Sequence, residues 1–378
     1  MKLAQILRAH WPEYVAKLGS HRIASAHWRA VEAVLACRTA RMGGHRYDCS
    51  DCSQAHYVYH SCNNRACPQC GGHDQQVWAA KQSARLLPVP YYMLTPTVPQ
   101  QLRRLFLHTP AVAYDTLFRA ASGALQQTLG KAKHMGGQSG FLVMLHTWTR
   151  EMLHHPHVHM IVPAVGLDSS GCALVYPRYE NYLLPHALFA KEVRDTFASI
   201  LLINHRALYD QVDPEIWKMK WNVNCRPVGR GKTALRYVSA YVAKSAFNET
   251  RLDGYDAQGR IRLWCTRSSD GRRHCIELEP VEFIRRWLLH VLPRRFVRLR
   301  YYGWLSAAAK KSFARVRFLL GARVVTPELP YLPPMCCSKC EGELVRVRKI
   351  HPARGPPLSL GLIHAARASK KGDASRVS

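Results

Sequence analysis

An α+β fold built on an antiparallel sheet is what this sequence predicts, and three observations predict it. Helical and extended patterns alternate along most of the chain. Two β-rich runs, 141–148 and 155–163, are joined by the short polar stretch Thr149-Arg150-Glu151, as expected of strands that pair after a turn. A further hairpin pattern covers 261–279 and turns at Ser269-Asp270-Gly271.

The length of 378 residues suits two or three domains, and a hydrophobic content of 47% indicates a packed, globular chain. Charge narrows the partners. Fifty-four Lys and Arg stand against 25 Asp and Glu, a net +29, so a polyanion is the natural partner and nucleic acid the commonest one. No apolar run approaches the roughly 20 residues of a spanning helix. No signal-peptide core is seen near residue 1, so no membrane partner is expected. Thirteen cysteines, an odd count clustered as Cys-x-x-Cys pairs, point to reduced, metal-binding thiols in the cytoplasm.

In chain order, 1–40 reads as helical through Leu3, Ile6, Leu7, Val31, Val34 and Leu35, with Trp11, Tyr14 and Trp28 assigned to packing. Cys49-x-x-Cys52 and Cys67-x-x-Cys70 follow, fourteen residues apart, the spacing of one four-thiolate zinc module with Cys62 as a fifth thiol inside it. Helices are expected over 75–87, 100–130, 188–209 and 233–248, and strands over 91–95 and 219–228. The Gly229-to-Thr233 loop is no phosphate loop, because Arg226 stands where the first glycine of that pattern belongs. Cys336, Cys337 and Cys340 form one more turn with no second half nearby, expected as a free thiol turn or a vestigial knuckle rather than a complete zinc site. Beyond His351 the composition is Pro, Gly, Ser and Lys-rich, which predicts a disordered tail.

Three clusters carry chemistry. On a strand His155, His157 and His159 project to one side, and His157 and His159 flanking Val158 make a ready pair of metal ligands. On the 233–248 helix Tyr237, Tyr241, Lys244 and Asn248 share one face, opposite Leu235, Val238, Val242 and Ala246. Between Arg285 and Arg323 there are eleven Lys and Arg and no acidic residue. Arg285, Arg286, Arg294, Arg295, Arg298 and Arg300 can track phosphates there, while Tyr301 and Tyr302 offer rings to bases.

The combination of His157-Val158-His159 with Tyr237, Tyr241 and Lys244 resembles the HUH single-strand nucleases, where U is a hydrophobic residue. HTW at 146–148 leading into HHPHVH, then LRYVSAY, then EFIRRWLLHVLPRRFVRLRYYGWL at 282–305, are similar to the two-tyrosine transposases of insertion-sequence family ninety-one. The resemblance runs from roughly Arg38 to Arg323. It implies an HUH-type nuclease domain with a central antiparallel sheet and flanking helices, preceded by a small helical and zinc-binding N-terminal domain. It also implies Tyr237 and Tyr241 as nucleophiles, with Lys244 positioning a tyrosine or neutralising phosphate. Magnesium or manganese would sit at His157 and His159, with the third ligand open between His155 and Glu151, and zinc would be structural. Family members often carry glutamine where this chain has Arg150, which cannot coordinate. The expected substrate is single-stranded DNA at the element ends and target, cut by a bacterial, DNA-associated enzyme in rolling-circle-like transposition. A replication initiator, a relaxase or an inactive zinc-bearing DNA-binding descendant would share these residues. The expected segments are 1–75 (helices and zinc module), 76–295 (nuclease), 296–350 (basic, aromatic extension) and 351–378 (tail).

Overall fold

The computed structural model describes residues 1–179, 181–231, 233, 246–267, 270–331 and 333–374, with side chains of the last helix described through residue 366. Helices α1 (Leu3–Leu18) and α2 (Ser25–Ala36) bury the apolar stripes that their periodicity predicts. Trp11 stacks on Tyr14 at 5.4 Å and meets Trp28 edge-on at 5.0 Å, so these rings are packing groups. The hairpin β1 (Gly44–Cys49) and β2 (Ala55–Tyr59) comes next, then α3 (Gly72–Ser83) and β3 (Pro90–Thr97).

The helical stretch expected over 100–130 is divided into α4 (Arg103–His108) and α5 (Pro110–Gly130). Pro110 lacks the N–H that would continue the first helix and opens the second. Strands β4 (Phe141–Trp148) and β5 (His154–Pro163), helix α6 (His186–Asn204) and strand β6 (Asn222–Arg230) follow. After β6 come β7 (Leu252–Tyr255), β8 (Ile261–Thr266), β9 (Arg273–Leu278), α7 (Pro280–Leu288), β10 (Leu299–Tyr302), α8 (Lys310–Leu319), β11 (Leu344–Ile350) and α9 (Leu358–Ala374).

The central sheet runs β10-β4-β5-β3-β6 with every pair antiparallel. Phe141, Val143 and Leu145 of β4 and Val158, Met160 and Val162 of β5 meet Phe106, Leu117, Phe118 and Phe197 from α4, α5 and α6. Strand alternation sends Leu142, Ile161 and Met93 to the other face, where Trp304 and Val316 cover them. A sheet covered on both faces explains why these strands read as continuous apolar runs. That second face is apolar only along part of its length. Further along it, the same alternation places His146 of β4 and His157 and His159 of β5.

A second core joins α1 and α2 to β7, β8 and β9, to α7 and to α9. It therefore unites residues from the expected segments 1–75, 76–295 and 351–378. The tail is a correction: α9 occupies it, with Leu358, Leu362 and Ile363 packed on this core. The carboxylate of Glu32 on α2 accepts both the Leu358 and Ser359 N–H groups at 3.0 Å, which satisfies the helix start that Pro356 and Pro357 precede. A separate three-stranded sheet has the order β11-β1-β2. Among the described residues no helix is long and apolar enough to cross a membrane.

Candidate metal centres and basic cavity

The register of β4 on β5 sets His146 directly across from His157, and Met144 across from His159. Ligand atoms of His146, His157 and His159 all lie within 4.8 Å of one another. The Nε2 atoms of His157 and His159 approach to 3.2 Å. Nδ1 of His157 donates to the His155 carbonyl at 2.8 Å, which leaves the Nε2 lone pair facing the cluster. Nδ1 of His159 is 3.1 Å from the Thr95 hydroxyl, an outer partner from β3 that orients the ring. Burial holds His157 neutral, with its pKa pulled down to about 4. Three converging imidazoles are a donor set that a divalent cation fits.

His146 is the candidate ligand that sequence reasoning missed, although the paired strands 141–148 and 155–163 already place it opposite His157. The two candidates for the third position lie elsewhere. His155 stays at the rim, where Arg103 approaches its Nδ1 at 3.3 Å. The Glu151 carboxylate is 3.3 Å from His274, and the Glu151 carbonyl accepts from Arg286. Tyr237, Tyr241 and Lys244 lie outside the described residues. Ala246, Phe247 and Asn248, just beyond them, are not helical, and Asn248 instead accepts the Thr250 N–H at the start of a short turn of 3₁₀ helix.

The histidines floor a cleft of about 760 Å³ that is also lined by Thr95, Arg150, Phe247, Asn248 and Arg251. A second cavity of about 320 Å³ is lined by Arg29, Arg65, Arg294, Arg295 and Arg298. Trp148, Ala246 and Phe247 line both, so the two adjoin. Burial, and then the neighbouring Arg65 charge, pulls the Arg298 guanidinium down to about 10. The other expected DNA-contacting residues are occupied inside the protein. Arg285 and Arg286 both pair with Glu282, and Arg300 pairs with Asp115 at 2.6 Å. Tyr301 accepts from the Trp78 indole, and Tyr302 stacks on Phe141.

The expected module of Cys49, Cys52, Cys67 and Cys70 does not assemble as one group. Cys67 and Cys70 meet Cys37, at the end of α2, and Cys62. Cys49 and Cys52 instead meet Cys337 and Cys340. Sγ separations in the first set are 3.5 Å (Cys37–Cys70), 3.6 Å (Cys62–Cys70) and 3.8 Å (Cys37–Cys67). A tetrahedron with Zn–S bonds of ~2.3 Å has edges of ~3.8 Å, so these four sulfurs fit zinc. Cys49 and Cys52 sit at the turn of the hairpin, and β2 then carries the chain back away from that turn before Cys67, which is why close sequence spacing did not bring the two pairs together.

His154 is bonded to the Tyr114 hydroxyl at 3.0 Å, and His290, a lining residue of the arginine cavity, donates to the Met152 carbonyl at 3.0 Å. Burial lowers His154 to about 3 and His290 to about 4. Both are neutral in the fold and bind a proton more readily once unfolded, at an ordinary pKa of ~6.5. Their contribution is therefore complete above that value and is lost as pH falls toward the folded pKa. Stability should drop by about 2 kcal/mol for each between pH 7 and 5. Urea unfolding at the two pH values measures this, and His290→Gln should flatten the slope. An unchanged slope in that variant would refute the assignment.

Two protein families match the chain: "Transposase zinc-binding domain" over residues 6–98 and "Putative transposase" over residues 140–312. The chain is 29% identical to "Putative transposase y4qJ" of Sinorhizobium fredii (strain NBRC 101917 / NGR234), in an alignment covering 94% of this chain and 97% of the relative. It is 28% identical to "Transposase for insertion sequence element IS801" of Pseudomonas savastanoi pv. phaseolicola, over 73% of this chain and 69% of the relative. No solved structure matches it. The chain belongs to the transposases of insertion-sequence family ninety-one, with an N-terminal zinc-binding domain.

Proposed function

We propose that this transposase nicks and rejoins single-stranded DNA at the ends of a mobile element through a 5′-phosphotyrosine. The observation that carries the reading is the convergence of His146, His157 and His159 at the floor of a cleft that adjoins an arginine-lined cavity. Magnesium or manganese held by the three imidazoles would polarise the scissile phosphate and stabilise charge on its oxygens. Neutral histidines suit that role, because burial keeps His157 from taking a proton at neutral pH.

Tyr237 or Tyr241 supplies the nucleophile: its oxygen bonds to phosphorus, the bond to the 3′ oxygen breaks, and a free 3′ hydroxyl is left. The energy of the broken bond is kept in the phosphotyrosine, so rejoining needs no external source. Lys244, two residues before the cleft-lining Ala246, positions a tyrosine or neutralises phosphate. The guanidinium groups of Arg29, Arg65, Arg294 and Arg295 hold the strand's phosphates, while Trp148, shared by both cavities, offers a ring edge to a base. Cys37, Cys62, Cys67 and Cys70 hold a structural zinc within the matched zinc-binding domain.

Labelled single strands from the element ends, incubated with protein and manganese, should give a covalent adduct that survives denaturation. Mass spectrometry should place the nucleotide on Tyr237 or Tyr241, with Tyr241 favoured for the first cut because Lys244 follows it by three residues in the sequence. The double variant Tyr237→Phe, Tyr241→Phe should form none. An adduct that persists in the double variant, or a cleaved strand with no protein-linked end, would end this reading.

A further inference from the structure

The turn Cys49-x-x-Cys52 closes β1, and the turn Cys337-x-x-Cys340 precedes β11. Although 291 residues separate Cys49 from Cys340, their sulfurs are 3.4 Å apart, and those of Cys52 and Cys337 are 3.7 Å apart. All four lie within 4.8 Å of one another. These separations approach the ~3.8 Å edge of a zinc tetrathiolate and far exceed the ~2.05 Å of a disulfide. All four are free thiols.

The surrounding backbone is shaped for such a site. Cys337 N–H donates to the Gly342 carbonyl at 2.8 Å, and Lys339 N–H points at the Cys337 sulfur at 3.4 Å. Ser50 N–H donates to the Glu343 carbonyl at 3.0 Å, which ties one turn to the other. A Cβ on Gly342 would sit 2.9 Å from the Cys49 sulfur, so only glycine permits the approach. His56 Nε2 lies 3.2 Å from the Cys337 sulfur, where an N–H can support thiolate charge from outside the ligand set.

The end of β11 that leads into α9 is anchored by that helix on the second core, but the strand itself buries little. Its interior positions, Val345 through Lys349, are all exposed, so burial contributes little. A ladder in a small sheet with no apolar face is marginal in water. We propose that Cys49, Cys52, Cys337 and Cys340 hold a second structural zinc ion, a clasp fastening the C-terminal strand to the N-terminal domain. The zinc-binding family match ends at residue 98, so half of this donor set lies outside it. Loading the site releases the thiol protons and supplies the fixed geometry that burial does not.

Metal analysis of the full chain tests the clasp, together with a thiol count under native conditions. Wild type should hold two zinc ions per chain, and Cys337→Ser with Cys340→Ser should hold one. Because loss of the clasp could unfold more than the site, Cys340→His provides a second arm. It keeps a donor, so it should retain two ions, and its cobalt-substituted form should show weaker sulfur-to-cobalt charge-transfer absorption than wild type. One ion in folded wild type, two in the double-serine variant, an unchanged cobalt spectrum in Cys340→His, or a native chain with these four thiols oxidised would overturn the proposal.

Discussion

Replacing His146 with alanine is expected to lower strand cleavage by at least ~100-fold, the scale on which one charge-stabilising group in a reaction centre is felt. His157→Ala and His159→Ala should do the same. The reason is geometric. His146 reaches the cluster from β4, across the strand pair from His157, and the three nitrogens converge within 4.8 Å. Removing one leaves two donors and a hole in a buried floor. DNA affinity should barely change, because it rests on the arginine-lined cavity and the overall +29 charge. His155→Ala and Glu151→Ala are the controls. His155 faces Arg103 at the rim and Glu151 faces His274, so both variants should keep most of the activity. Single-turnover cleavage in excess manganese measures all five. Full activity in His146→Ala with loss in Glu151→Ala would show that the third position is an oxygen donor after all.

Cys67→Ser should be the most damaging single change to stability. Cys67 is buried, its sulfur lies 3.8 Å from that of Cys37, and it belongs to the same core as Trp11, Val31 and Leu35. Binding of a structural zinc by a small thiolate module is worth on the order of 10 kcal/mol or more at neutral pH. A whole domain is stable by only ~5–15 kcal/mol. Serine is a poor zinc ligand and leaves a hydroxyl in an apolar setting. The zinc of this set should be lost, and α1 and α2 should become open to protease. Zinc content together with the time course of tryptic cleavage in 1–40 reports both. Wild-type zinc and wild-type protease resistance would mean that Cys67 is only a packing group.

How far these features could be read from sequence follows from the range of the interactions that make them. The α+β class, the β4–β5 pair and the apolar stripes of α1 and α2 are local patterns, and the chain shows them directly. His157 and His159 were visible because two residues on one strand carry their own geometry. His146 belongs to the same site through strand register, which is a pairing and not a motif. Cys37 is a lone cysteine at a helix end, and it acquires meaning only beside Cys62, Cys67 and Cys70. The turn at Cys337 and Cys340 looked incomplete because its other half is nearly the whole chain away. Arg285, Arg286 and Arg300 read as free cations in a charge run, but Glu282, one turn earlier on the same helix, and the distant Asp115 pair with them in the fold. In α9, a polar composition concealed three apolar positions with a core to meet.

The pairing of β1 with β11 also imposes a delay. A ribosome adds about 5–20 residues each second, so the 291 residues from Cys49 to Cys340 take about 15–60 s to emerge. For all of that time β1 has a bare edge and Cys49 and Cys52 have no partners from β11's side of the sheet. The hairpin made first is thus finished nearly last. Any nascent chain stalled before residue 340 displays an open strand edge, the kind of surface that chaperones cover and other chains add to.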